Sequence, residues 1–202
     1  MRYQELQAGF GERLLFSLDD IRQVEPGFDK SRLYEWMKKG YIKRLLRRYY
    51  YFSGVNLDEQ KLFMLANVVY RPSYISLESA LSYYDIIPEK SLSITSVTTR
   101  KTAVFATPAG RFAYRKVLPS YYFGYDIKTM NDMSFLIASP EKALLDYFYF
   151  INARGIDDAI ESLRLNRKVL REIIDPQKIS AMAKVFKRDA PGIGAGIIRR
   201  ML

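Results

Sequence analysis

The sequence predicts an α+β protein in two parts, and three observations carry that expectation. Residues 17–54 hold two short capped helices followed by a basic hairpin, and residues 92–138 alternate apolar with polar side chains in strand-like runs. From Ser139 onward the pattern is helical. The first observation makes residues 1–56 an N-terminal winged helix-turn-helix. The other two make residues 57–202 a mixed α/β domain with a helical C-terminus, helical from about 139.

In chain order, Tyr3–Ala8 can form a first helix ended by Gly9 and Gly11, and Arg13–Phe16 is short and apolar enough for a small strand pairing with a hairpin. Ser17 is placed to cap a helix over Leu18–Val24, with Asp19 and Asp20 favourable in its first turn. Pro26-Gly27 ends that helix. Asp29 can cap a second helix of about ten residues that stops at Gly40, where positive φ is wanted. Leu33, Trp36 and Met37 fall on its inner face, and Ser31, Glu35 and Lys38 on its outer face. Lys30 stands at its start, and Arg32 and Lys39 flank the polar face. Past Gly40, Tyr41–Leu45 and Tyr49–Phe52 read as two strands closed over Leu46-Arg47-Arg48. Positioning helix, turn, recognition helix and wing follow in that order.

Asn56–Glu59 reads as a linker, and Lys61–Tyr70 as a buried helix broken by Pro72. Ser76 is expected to cap a short helix, Leu77–Tyr84. Strands are expected over Leu92–Thr98, Ala103–Ala106, Arg111–Leu118, Tyr121–Asp126 and Met133–Ala138, with Thr107-Pro108-Ala109-Gly110 as a hairpin turn. Ser139-Pro140-Glu141 opens a helix with a serine cap, proline at the first helical position and an acid beside it. Ala143, Leu144, Tyr147 and Phe148 form its core face. From Gly155 the chain reads as polar helix with breaks at Asn166 and Asp175-Pro176, and the glycine-containing tail after Pro191 as loosely held.

Charge singles out the ends of the chain. Formal net charge is +10, divided as +4 over residues 1–56 (11 cations, 7 anions), +1 over 57–150 (10 and 9) and +5 over 151–202 (11 and 6). Lys38, Lys39, Lys43, Arg44, Arg47 and Arg48 follow one another without an intervening acid. Such a run is either a solvated face or a set of phosphate contacts. Beside a helix whose outer face carries Lys30, Ser31, Arg32, Glu35 and Lys38, it points to double-stranded DNA. Glu35 can accept from cytosine N4 or pair with Arg32 or Lys39. Tyr49-Tyr50-Tyr51 can stack on bases or pack inward, and strand alternation puts at least one pair inside.

The chain has no histidine and no cysteine, which removes imidazole acid–base chemistry, thiol nucleophiles, disulfides and thiolate metal sites. No paired-acid motif or phosphate-binding loop replaces them, so no catalytic, metal or cofactor site is expected. Asp19-Asp20, Asp58-Glu59 and Asp157-Asp158 each sit near a helix start, where acids suit the macrodipole. Glu141 and Asp146, five apart, diverge on their helix. No apolar run has the length of a membrane span, and the first residues lack the apolar core of a signal peptide, so a cytoplasmic protein is expected.

Leu33, Lys39-Gly40-Tyr41-Ile42, Arg44 and Tyr51, then Ile75-Ser76-Leu77-Glu78-Ser79-Ala80-Leu81, then Ser139-Pro140-Glu141-Lys142-Ala143-Leu144-Leu145-Asp146 stand in an order and spacing that resembles the AbiEi family, over about Phe16–Phe150. Those proteins are antitoxins and transcriptional autoregulators of bacterial type IV toxin–antitoxin, or abortive-infection, systems. The resemblance implies an N-terminal domain that represses its own operon at a DNA operator, and a C-terminal part that counters a nucleotidyltransferase-like toxin. An alternative is a protein-interaction module that neutralises such a toxin without specific DNA binding. The family wing often carries Arg-Gly before its second strand. Here Arg47-Arg48 precedes Tyr49, so the turn is built without that glycine.

Overall fold

Ser17 organises the start of the fold. Its hydroxyl accepts from the Asp20 backbone N–H at 3.1 Å, while the Asp20 carboxylate accepts from the Ser17 N–H at 2.7 Å. This reciprocal cap starts helix α2 (Leu18–Val24). The computed structural model describes residues 1–46, 48–130, 133–151 and 163–188. Arg47, the Asp157-Asp158 pair, the start of the helical region at Gly155 and the tail after Pro191 lie outside the described residues. The protein is α+β, with helices and two sheets. Its chain divides into two compact units, residues 1–62 with 106–110, and residues 63–105 with the described residues from 111 on.

The first unit runs α1 (Tyr3–Phe10), β1 (Phe16–Ser17), α2, α3 (Ser31–Lys38), β2 (Ile42–Arg44) and β3 (Tyr49–Phe52), with a three-stranded sheet in the order β1-β3-β2. Both pairings are antiparallel, with Phe16 opposite Tyr50 and Ile42 opposite Phe52. Leu6, Phe10, Phe16, Ile21, Phe28, Leu33, Trp36, Ile42, Tyr50 and Phe52 form one core cluster. Burying each such side chain contributes about 1.5–3 kcal/mol.

Three expectations are corrected here. The first helix runs past Gly9 to Phe10, because the Phe10 ring belongs to that core. The first strand is Phe16–Ser17 rather than Arg13–Phe16, since Arg13 closes a turn onto the Phe10 carbonyl and Ser17 both pairs and caps. The helix expected from Asp29 is eight residues long and its cap position is Lys30. The Asp29 carboxylate still serves that helix start, accepting from the Ser31 N–H at 2.8 Å.

Helix α3 ends as Gly40 allows. Gly40 has φ +73°, its N–H donates to the Met37 carbonyl, and the Tyr41 N–H reaches back to the Trp36 carbonyl, both at 3.0 Å. That crossed pair closes a left-handed helix stop and sends the chain directly into β2.

α4 (Glu59–Val69) follows, buried through Phe63, Met64, Leu65, Ala66 and Val69. The second sheet takes β4 (Ser73–Ile75), β5 (Ile94–Thr98), β6 (Ala103–Thr107), β7 (Gly110–Lys116), β8 (Tyr125–Met130) and β9 (Met133–Ala138) in the order β6-β7-β5-β4-β9-β8. β4 runs parallel to β9 and β5 parallel to β7, whereas β4/β5 and β8/β9 are antiparallel. Every residue of β4 is buried, as befits a central strand covered on both faces. The hairpin over Thr107–Gly110 closes with the Thr107 hydroxyl donating to the Gly110 carbonyl at 2.9 Å.

Among the described residues the remaining α-helices are α5 (Leu77–Tyr83), α6 (Pro140–Tyr149), α7 (Arg167–Ile173) and α8 (Pro176–Ala183). Ser139, Asn166 and Asp175 cap α6, α7 and α8 through their side chains, so the expected breaks at Asn166 and Asp175-Pro176 are helix starts. The strand expected over Tyr121–Asp126 does not form. Pro119–Tyr121 is a single 3-10 turn and β8 begins only at Tyr125. Pro119 presets that turn, and Gly124 follows at φ +71°.

Candidate nucleic-acid interface

The inner face of α3 is spent on the core: Leu33 is fully buried and Trp36 nearly so. That fixes its outer face. Lys30, Ser31, Arg32, Tyr34, Glu35, Lys38 and Lys39 are all exposed. In β2 Ile42 enters the core while Lys43 and Arg44 stand in water.

These side chains are not equally available. Ser31 is engaged with Asp29, donating from both backbone and hydroxyl. Arg32 donates to the Met1 carbonyl at 2.8 Å. Glu35 pairs with Lys39, four residues on, and the Lys39 hydrogen bond and charge hold the Glu35 carboxyl below its ordinary value. Arg44 donates to the Leu46 carbonyl at 3.3 Å, and Arg48 pairs with Asp19 of α2 at 2.8 Å. Lys38 and Lys43 are exposed without an ion-pair partner among the described residues. Lys30, Lys38 and Lys43 are thus exposed cations outside any ion pair among the described residues. Arg32 and Arg48 are tied to neighbours.

Tyr34 went unnoticed in the sequence. It is 54% exposed on the outer face, with the Lys30 ammonium 6.0 Å from its ring centroid. Its place was legible, since it lies three residues past Ser31 and four before Lys38. The tyrosines of the hairpin go the other way: Tyr50, Tyr51 and Phe52 are buried and Tyr49 half-buried, so Tyr51 has no face open to a base.

A second polar constellation lies in the second unit and was also missed. Lys142 and Asp146 of α6 are both completely buried and paired with each other. The Asp146 carboxylate also accepts from the Tyr74 hydroxyl at 2.9 Å and the Ser76 hydroxyl at 2.8 Å. The Lys142 ammonium donates to the Tyr74 hydroxyl at 2.8 Å and lies 5.2 Å from the ring centroids of both Phe123 and Phe186. Burial pushes the Asp146 carboxyl up and the Lys142 ammonium down, each opposed by the other's charge.

Ser76, expected to cap α5, makes no cap bond because its hydroxyl is committed to Asp146. Next to it Leu77 takes φ +57°, a conformation that side-chain-bearing residues adopt at a cost. A Cβ on Gly124 would lie 3.2 Å from Lys142 Cγ and 3.2 Å from Met182 Cε, so this glycine lets the backbone pass over the lysine stem. Glu141, also buried, accepts from Lys178 of α8 at 2.9 Å and from the Ser139 hydroxyl at 2.8 Å. Burial raises its carboxyl, but those two donors and nearby backbone N–H groups outweigh it and hold the group below its ordinary value.

Among the described residues no group of three or more Asp, Glu, His or Cys could hold a metal ion. Nor is any helix there long and apolar enough to cross a membrane. Comparison of the chain with protein-family models and with curated proteins finds no match.

Proposed function

We propose that the first unit is a winged helix-turn-helix that binds double-stranded DNA. In this reading α2 is the positioning helix, α3 the recognition helix and β2–β3 the wing. One observation carries it. α3 is held to the core by Leu33 and Trp36, stops at Gly40 and leads straight into a hairpin, which leaves Tyr34 and Lys38 of the helix and Lys43 of β2 exposed. An α-helix fits the major groove, and cations beside it meet phosphates.

The wider reading rests on the resemblance to AbiEi proteins. The chain is a sequence-specific repressor that acts as antitoxin and autoregulator of its own toxin–antitoxin operon, does no catalysis itself, and has a nucleotidyltransferase-like toxin as second partner. Binding to the chain's own upstream DNA, measured by fluorescence anisotropy across a salt series, tests it. The expected result is tighter binding to that DNA than to random duplex, weakening steeply with salt. Equal affinity for both duplexes overturns the sequence-specific reading. Absence of duplex binding with retained toxin protection favours the interaction-module alternative. The ties of Arg32 to the Met1 carbonyl and of Arg48 to Asp19 speak for that alternative.

A further inference from the structure

The second unit carries a cleft of about 540 Å³ that the DNA-binding reading does not use. Two small side chains of its lining are neighbours in the sheet. Thr95 of β5 and Ala113 of β7 are register partners on adjacent parallel strands, and both line the cleft. Arg111 and Arg115 lie two residues to either side of Ala113, so strand alternation puts all three on the same sheet face. The loop before β5 adds Lys90, Ser91 and Ser93, and helices α5 and α6 add Glu78 and Tyr147.

The charges in this cleft are unbalanced. Lys90 and Arg111 are exposed with no ion-pair partner among the described residues. Arg115 lies with its guanidinium 5.3 Å from the Phe150 ring centroid, a contact that leaves its charge unneutralised. Of the two lining carboxylates, Glu89 faces Arg164 at 3.7 Å. The other, Glu78, lies near Tyr147, whose hydroxyl is pushed up first by burial and then by the Glu78 charge. Cations therefore come from the strand and loop, and an acceptor comes from the helices.

We propose that this cleft binds a phosphate monoester that also carries hydroxyl or amino donors, of the nucleoside monophosphate class. The volume suits a ligand of that size, since small-molecule sites run from about 300 to 1,000 Å³. Guanidinium groups match phosphate oxygens with paired hydrogen bonds. Arg111 with Lys90 takes the phosphate, and Glu78 accepts from the sugar or base. A simple anion site would not need that carboxylate, which disfavours a bare phosphate. The inference is independent of the DNA-binding surface, because none of its residues belongs to α3 or the hairpin.

Isothermal titration of the full chain with AMP, GMP, CMP and UMP, with inorganic phosphate and a short single-stranded oligonucleotide as separate arms, tests it. At least one mononucleotide is expected to bind more tightly than inorganic phosphate. The double change Lys90→Ala with Arg111→Ala should weaken that binding at least about tenfold, equivalent to about 1.4 kcal/mol. Glu78→Gln should weaken the mononucleotide but leave inorganic phosphate as it was. Lys90 and Arg111 lie at the surface and Glu78 is half-buried, and unchanged circular dichroism and melting confirm the fold of each variant. If the double variant melts early, Arg111→Glu alone replaces it, with the same expectation. The proposal is overturned if no mononucleotide binds, if the cation variants bind as well as the parent, or if only the oligonucleotide binds. Duplex-DNA affinity of the Lys90/Arg111 variant should equal that of the parent, so failure here and failure of the DNA reading are distinguishable.

Discussion

On α3 and its hairpin, charged side chains stand in water and their pairings stay exposed: Glu35 with Lys39 one turn on, and Arg48 with Asp19 across the surface. In the second unit Lys142 and Asp146 have no exposed area at all, and their partners Tyr74 and Ser76 come from residues about seventy positions away in sequence. The contrast teaches what each kind of charge is for. An exposed pair contributes about 0–1 kcal/mol and exchanges partners readily, which suits a surface that must meet a ligand. A buried pair is costly to desolvate and tolerates no loss of a partner, so it ties elements in one arrangement.

The sharpest way to break that comparison is Asp146→Ala. It leaves the Lys142 ammonium buried and uncompensated, and should lower stability by about 3–5 kcal/mol in chemical denaturation. The double change Lys142→Met with Asp146→Leu should recover much of that loss, because it removes both charges. A single variant that melts like the parent would mean that the buried pair behaves as a surface one.

Lys38→Ala follows, with an expected cost of about 1–3 kcal/mol on a specific DNA site if the side chain reaches a base edge. Lys43→Ala should weaken specific and random duplexes alike and flatten the slope of log affinity against log salt by about one. An unchanged slope would take Lys43 off the phosphate path. Neither change should move the melting temperature, since both side chains are solvent-exposed.

Glu141 offers a pH test with a definite sign. Its carboxyl is held below its ordinary value in the folded protein, so the folded state resists protonation and the group stabilises the fold above its unfolded pKa. That contribution fades as pH falls through the acid range below about 4.5, the ordinary glutamate value. Glu141→Gln should flatten stability against pH in that window. A parent profile that is already flat there would show that the Lys178 contact does not hold in solution.

The smallest effect belongs to Glu35→Ala. Loss of an exposed pair should leave the melting temperature essentially where it was. Freeing Lys39 and removing a carboxylate should strengthen duplex binding at low salt. A large stability loss would contradict the assignment of this pair to the surface.

Local rules determined much of this protein from its sequence alone. The Ser17 cap, the Gly40 stop, the Thr107–Gly110 turn and the Ser139-Pro140 helix start each depend on residues within a few positions of one another, and all four stand where the sequence places them. So does the inward face of α3, because period and residue type agree at Leu33 and Trp36. Tertiary structure alone decided the rest. Ser76 has the residue type of a helix cap, and only the arrival of Asp146 from α6 turns its hydroxyl elsewhere. The burial of Lys142 has no local signal, since Tyr74, Phe123 and Phe186 close around it from distant parts of the chain. Arg32 reads as a DNA contact until the Met1 carbonyl reaches it. The cleft between β7 and α5 has no local pattern, since it is assembled from side chains separated by sheet crossovers. Capping and periodicity are short-range and written in adjacent residues, whereas desolvation and charge pairing depend on what the folded chain brings within a few ångströms.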